Sequence, residues 1–156
     1  MIRLLTAAAI IAVPVATAIA QPEEGPSRWK ANTARHQKVL MYGVPEPYAA
    51  VRDPSPDNPA KLLRGRDLFD RNCASCHGWS GQGTGPEGFY LVPAPADLEW
   101  LGHAPQDRAD PYIYWAIAEG GKQFDSEMPA YKYNLTVEDR WALTAFIRNG
   151  MPHKSP

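Results

Sequence analysis

Cys73, Cys76 and His77 stand in the run Cys73-Ala74-Ser75-Cys76-His77. Thiols three positions apart share one helical turn, where each can form a thioether to a haem vinyl group while the adjacent imidazole is pressed against the iron. His77 would bind through one ring nitrogen and donate a hydrogen bond from the other to a backbone carbonyl, which fixes its tautomer. One short segment thus supplies a covalent anchor for the cofactor and its first axial ligand. A zinc site would need more ligands at close spacing, whereas the chain has two Cys, and His36, His103 and His153 stand far apart. A redox dithiol would call for a βαβ pattern around the motif, which the sequence lacks.

Iron held by one imidazole takes a second ligand or keeps an open position, and that choice separates electron transfer from chemistry at the metal. Of the four Met, Met1 belongs to a leader, Met41 to an N-terminal arm, and Met151 follows the last expected helix. Met128, directly before Pro129, falls in a loop between two expected helices and can approach the face opposite His77. Thioether ligation raises the reduction potential. His77 with Met128 therefore predicts a one-electron carrier and not an enzyme, either free or as a subunit of an oxidoreductase complex. Two alternatives stay open: His103 as a second imidazole ligand, or an open iron in a haem enzyme or ligand-binding protein.

Helices must position these residues. Asn58-Pro59 suits an N-cap followed by Pro at the first helical position, and Leu62, Phe69 and Cys73 then fall near one face. Gly65, in the middle of that helix, costs about 1 kcal/mol against Ala, which predicts the close approach of a second helix. Gly78, Gly81, Gly83 and Gly85 make a loop after the motif, and the proline-interrupted apolar residues 89–98 read as an extended wall along the haem edge. Asp110-Pro111 opens a further helix closed by Gly120-Gly121. One Trp or Tyr among its Tyr112, Tyr114 and Trp115 is suited to donate a hydrogen bond to a buried propionate. In the last helix Thr136 and Asp139 resemble a capping box, and Gly150 supplies the stop. Its stripe of Trp141, Ala142, Ala145 and Phe146 would face Gly65 and Phe69. No strand is required, so the expected class is all-α, with three to four helices around one covalently bound haem and an irregular Pro-rich N-terminal extension.

A chain of 156 residues is one small domain with some decoration, and a formal charge of -1 without blocks of like charge argues against a nucleic-acid partner. Sixteen Pro and twelve Gly imply much loop, tolerable where a rigid cofactor supplies core surface. Arg3, the apolar residues 4–15 and Ala18-Ile19-Ala20 read as an export signal over residues 1–20, with an uncleaved membrane anchor as the alternative. Export places the protein in the periplasm, free or attached to the outer face of the inner membrane. Residues 21–58 read as an extension outside the compact core, and residues 59–156 as the haem domain. Within the extension a helix over residues 27–42 carries Arg28, Lys30, Arg35 and Lys38 without an acidic residue, beside Trp29, Val39, Leu40 and Tyr42. Such a segment suits docking on a membrane surface or an acidic partner, or folding over its own domain. From residue 60 onward ten Lys and Arg face twelve Asp and Glu, which argues against a purely basic docking face.

With these motifs the chain resembles the class I c-type cytochromes over residues 58–151. The likeness rests on Gly65 and Phe69 ahead of the haem motif and Gly78, on Met128-Pro129, and on Trp141 with Phe146. It implies that the first and last helices cross at the small residue and that a proline carbonyl orients the His77 ring. Pro93 is the candidate and Pro95 the second. The arm bearing Tyr42-Gly43-Val44-Pro45-Glu46-Pro47-Tyr48, with Ala116-Ile117-Ala118-Glu119-Gly120-Gly121, is similar to monohaem subunits of membrane respiratory complexes such as alternative complex III. That likeness implies redox partner proteins: a membrane quinol-oxidising complex or a terminal oxidase. The leader has no lipid-attachment Cys, unlike lipoprotein versions.

Overall fold

The computed structural model describes residues 28–151 except 56 and 57, with side chains from Arg35 onward. The expected signal segment and His153 lie outside the described residues. In chain order the helices are α1 (Arg28–Tyr42), α2 (Ala60–Asn72), α3 (Ala74–His77), α4 (Leu98–Gly102), α5 (Gln106–Glu119) and α6 (Val137–Arg148), joined by loops and four short 3₁₀ turns. There is no strand among the described residues. The all-α expectation holds, with more helices than the three to four anticipated.

The crossing of α2 and α6 forms the centre of the molecule. A Cβ built on Gly65 would lie 2.1 Å from the Ala142 carbonyl oxygen and 2.7 Å from Phe146 Cβ, so the helix axes approach as closely as they do only because this position lacks a side chain. One turn further, the Phe69 and Phe146 rings meet at 5.5 Å between centroids, both wholly buried. The ends of α6 form as their residue types dictate. Thr136 Oγ1 accepts from the Asp139 N–H at 3.1 Å, while the Asp139 carboxylate turns to Arg64 Nε at 2.8 Å instead of closing the box. At the other end the Gly150 N–H bonds the Ile147 carbonyl and the Met151 N–H the Phe146 carbonyl, with Gly150 at φ 71°, a Schellman stop. Met151 is thereby drawn into the core at 4% exposure.

Three expectations need correction. Helix α5 begins at Gln106, not at Asp110, and Pro111 lies inside it. The Pro105 carbonyl accepts from Arg108 and Ala109, and this extra turn buries Ala109 in the core. The extended wall stops short of Leu98, which opens a helix: Asp97 caps α4 by accepting from the Trp100 N–H at 3.1 Å, and Leu101 is buried beneath it. The third concerns the arm, which takes one of its two expected forms, folded over its own domain, and thereby brings residues into the core that were expected outside it. Its described part is packed into the domain, with His36 at 1% exposure, Val39, Leu40 and Val44 against the core, and the Leu40 carbonyl accepting from Arg108 at 2.9 Å. Further along, the Tyr48 hydroxyl donates to Glu119 and Lys61 pairs with Asp53. Its inward stripe is His36, Val39 and Leu40, and the polar first member hid the i, i+3, i+4 pattern.

Candidate cofactor site

Cys73 ends α2, and the short α3 that follows carries Cys76 and His77. A four-residue helix leaves its carbonyls without partners of its own. Here the glycine-rich loop returns to supply them: Glu87 N–H donates to Ser75 O, Gly85 N–H to Cys76 O and Gly83 N–H to His77 O, at 2.8–3.1 Å. Leu98 N–H then donates to Gly81 O at 2.7 Å, tying the wall segment to the same loop. The motif is thus held by backbone on several sides.

His77 is buried, and its Nδ1 donates to the Ala96 carbonyl at 3.0 Å. A carbonyl can only accept, so Nδ1 carries the proton and Nε2 keeps its lone pair. Burial lowers the His77 pKa, against the opposing Ala96 hydrogen bond, and favours the neutral ring a metal requires. The expected carbonyl of Pro93, or of Pro95, is therefore replaced by that of Ala96. The physical reason is the Leu98–Gly81 bond, which brings the end of the wall, not its middle, against the residues that follow His77.

Beside the motif opens a cleft enclosing about 980 Å³, solvent at its mouth included. Cys73, Cys76, His77, Pro93 and Met128 all line it. The wall segment contributes Leu91, Ala94, Pro95, Ala96 and Leu98, while its Phe89, Tyr90 and Val92 are exposed. Helix α5 adds Tyr112, Ile113, Ala116 and Ile117. The cleft's mostly apolar lining suits a large apolar ligand.

Met128 is held by the end of α5. Gly121 N–H donates to Met128 O at 2.8 Å, and a Cβ on Gly120 (φ +76°) would meet Met128 O, Pro129 C and Ala130 N at 2.6–2.8 Å. Locally this glycine pair also stops α5, the role its sequence position predicts. Tyr131 then donates to Asn72 O at 2.7 Å, linking the Met128 loop to the residue before Cys73. Arg140 donates to the carbonyls of Lys132 and Leu135 and to the Tyr114 hydroxyl, which fastens the rest of the loop. The other candidates fall away from the cleft: Met41 is 69% exposed, and His103 is exposed and contributes nothing to the lining. Met151 packs instead where a Cβ on Gly81 would be. Among the described residues no group of three His, Cys, Asp or Glu is arranged for a metal ion.

A cytochrome c family model matches residues 62–150, more than half of the chain. The chain belongs to the cytochrome c family. It is accordingly a haem protein with a covalently bound c-type haem, in an electron-carrier role. No curated protein matches the sequence. The matched span of this cytochrome runs from α2 to the end of α6, so α1 lies outside it. The residues present fit the group. Two thiols and an imidazole with a fixed tautomer share one cleft, and as a free thiol Cys73 is pushed up to about 12 by burial, with Cys76 adding. Burial also raises Tyr131 to about 12, with Cys73 and Cys76 adding, so its hydroxyl stays a donor to Asn72.

One lining residue of this cytochrome was missed from sequence. His36 reaches the cleft from α1, stacked on Trp100 with centroids 5.8 Å apart and bonded through Nδ1 to the Tyr112 hydroxyl at 2.8 Å. Burial, with Arg35 and His77 adding, lowers its pKa to about 4, while the Asp97 backbone acts the other way.

Proposed function

We propose that this cytochrome is a periplasmic one-electron carrier. Its haem is attached at Cys73 and Cys76 and ligated by His77 and Met128. The bound haem supplies a one-electron iron couple. The observation that carries this reading is the single cleft lined at once by both thiols, by His77 and by Met128. Ala96 orients the imidazole, Gly120 and Gly121 hold the methionine loop, and the apolar wall keeps water from the iron, which favours the reduced state. Pro93 contributes surface to that wall and no carbonyl to His77.

The apparent export signal of residues 1–20 supports the periplasmic location. Its donor or acceptor is a membrane quinol-oxidising complex or terminal oxidase, with alternative complex III as the example that the sequence likeness suggests. Exposure of the reduced protein to carbon monoxide tests ligation and function together. A carrier with both axial positions filled gives an unchanged visible spectrum; a carbon monoxide adduct would mean an open iron and a ligand-binding or enzymatic role.

A further inference from the structure

We infer that helix α1, outside the family match, supplies a carboxylate-binding group to the haem cleft, with Arg35 and His36, supported by Tyr112, holding a haem propionate. This rests on the proposed attachment at Cys73 and Cys76. A c-type haem carries its vinyl-derived thioethers and its two propionates on opposite halves of the ring. Anchored at the thiols, it would carry its carboxylates on the half of the ring away from them. The thiols share their surroundings with Asn72 and Tyr131. Arg35, His36 and Tyr112 form a separate group, joined by the His36–Tyr112 hydrogen bond and by Phe124, which takes the Arg35 guanidinium 5.7 Å over its ring and the Tyr112 ring at its edge.

The chemistry of this group calls for an anion. Arg35 is the one Lys or Arg among the described residues lining the cleft, and it has no carboxylate in ion-pair range among them. Tyr112 is buried, which raises its pKa, so its hydroxyl keeps its proton. With that proton donated to His36 Nδ1, 2.8 Å away, the hydrogen of the neutral ring sits on Nε2. Nε2 is buried with no partner at full hydrogen-bond geometry, the Asp97 backbone being the hydrogen-bonding group nearest to hand, in a side chain 1% exposed that lines the cleft. A buried donor left unpaired is costly, and a carboxylate accepts from it while pairing with Arg35.

The test uses the haem-loaded full chain. The propionate carboxylate bands in the redox infrared difference spectrum and the reduction potential are recorded for wild type, Arg35→Gln, Arg35→Lys and His36→Phe. His36→Phe keeps a ring on Trp100 and removes the donor. Expected are shifted carboxylate bands in Arg35→Gln and in His36→Phe, a lowered potential in Arg35→Gln because a cation near the ferric charge is lost, and partial return in Arg35→Lys. The ligand bands of the iron stay as in wild type, which a merely structural role would not combine with moved carboxylate bands. Carboxylate bands and potential superimposable on wild type in both Arg35→Gln and His36→Phe would overturn the assignment while leaving haem attachment intact. A wild-type chain without haem absorbance would overturn the attachment, and this assignment with it.

Discussion

The two walls of the cleft are built differently. The His77 wall is backbone held by backbone: three carbonyls of the motif receive loop amides, Leu98 is bonded to Gly81, and the imidazole itself is bonded to Ala96. The Met128 wall is a loop with one backbone bond at the residue that matters, from Gly121, and with side-chain fasteners on the stretch that follows, Tyr131 and Arg140. The proposed first ligand, His77, is therefore part of the fold, and the proposed second, Met128, is fastened to it. Disturbing the fold should lose both ligands together, while disturbing the fasteners should lose Met128 alone.

The largest effect tests the shared foundation. Gly65→Val drives a branched side chain into the Ala142 carbonyl and Phe146, and should cost about 3 kcal/mol as an overpacked core. Denaturant unfolding followed at the haem band and by far-ultraviolet dichroism should move by the same amount, since both walls rest on α2. Gly120→Ala separates the walls. A side chain at φ +76°, against the backbone of residues 128–130, should cost about 1–3 kcal/mol. The spectrum should show the methionine ligand lost or weakened with haem still covalently bound. Tyr131→Phe removes the bond to Asn72 O and should cost about 1 kcal/mol. Methionine ligation should then be lost at a lower temperature than in wild type, ahead of helix melting.

The smallest effect lies away from both walls. Arg64→Ala removes the partner of Asp139 at the start of α6 and should lower the melting temperature only slightly, as for an exposed pair. Asp139 is held below the usual carboxylate range, first by the Arg64 hydrogen bond. A folded pKa below the unfolded one gives stability that is present above the ordinary carboxylate range and fades as pH falls through the folded value. Melting curves of the variant and wild type should therefore differ at neutral pH and converge in acid.

The parts that were legible in sequence are those where a residue type and a short spacing determine the outcome. The Cys73–His77 run, the bare position at Gly65, the Thr136 cap and the Gly150 stop each announce one local geometry, and the structure has all of them. The Ala96 carbonyl was not legible because every residue carries one; which one reaches His77 depends on the Leu98–Gly81 bond, a contact between segments. His36 was hidden for a related reason. Its place in the cleft follows from α1 packing on α5, and a histidine in a basic, proline-bounded segment has no apolar pattern to betray it. The start of α5 was misread because Asp110-Pro111 imitates a helix opening one turn too late.

The most direct measurement is the oxidised visible spectrum of the haem-loaded protein, with Met128→Ala and Met151→Ala beside wild type. The weak red-end band of thioether-ligated ferric haem should be present in wild type and in Met151→Ala, whose residue packs in the core, and absent from Met128→Ala. A band that survives in Met128→Ala, or that is missing from wild type, would contradict His77–Met128 ligation and with it the two-wall account.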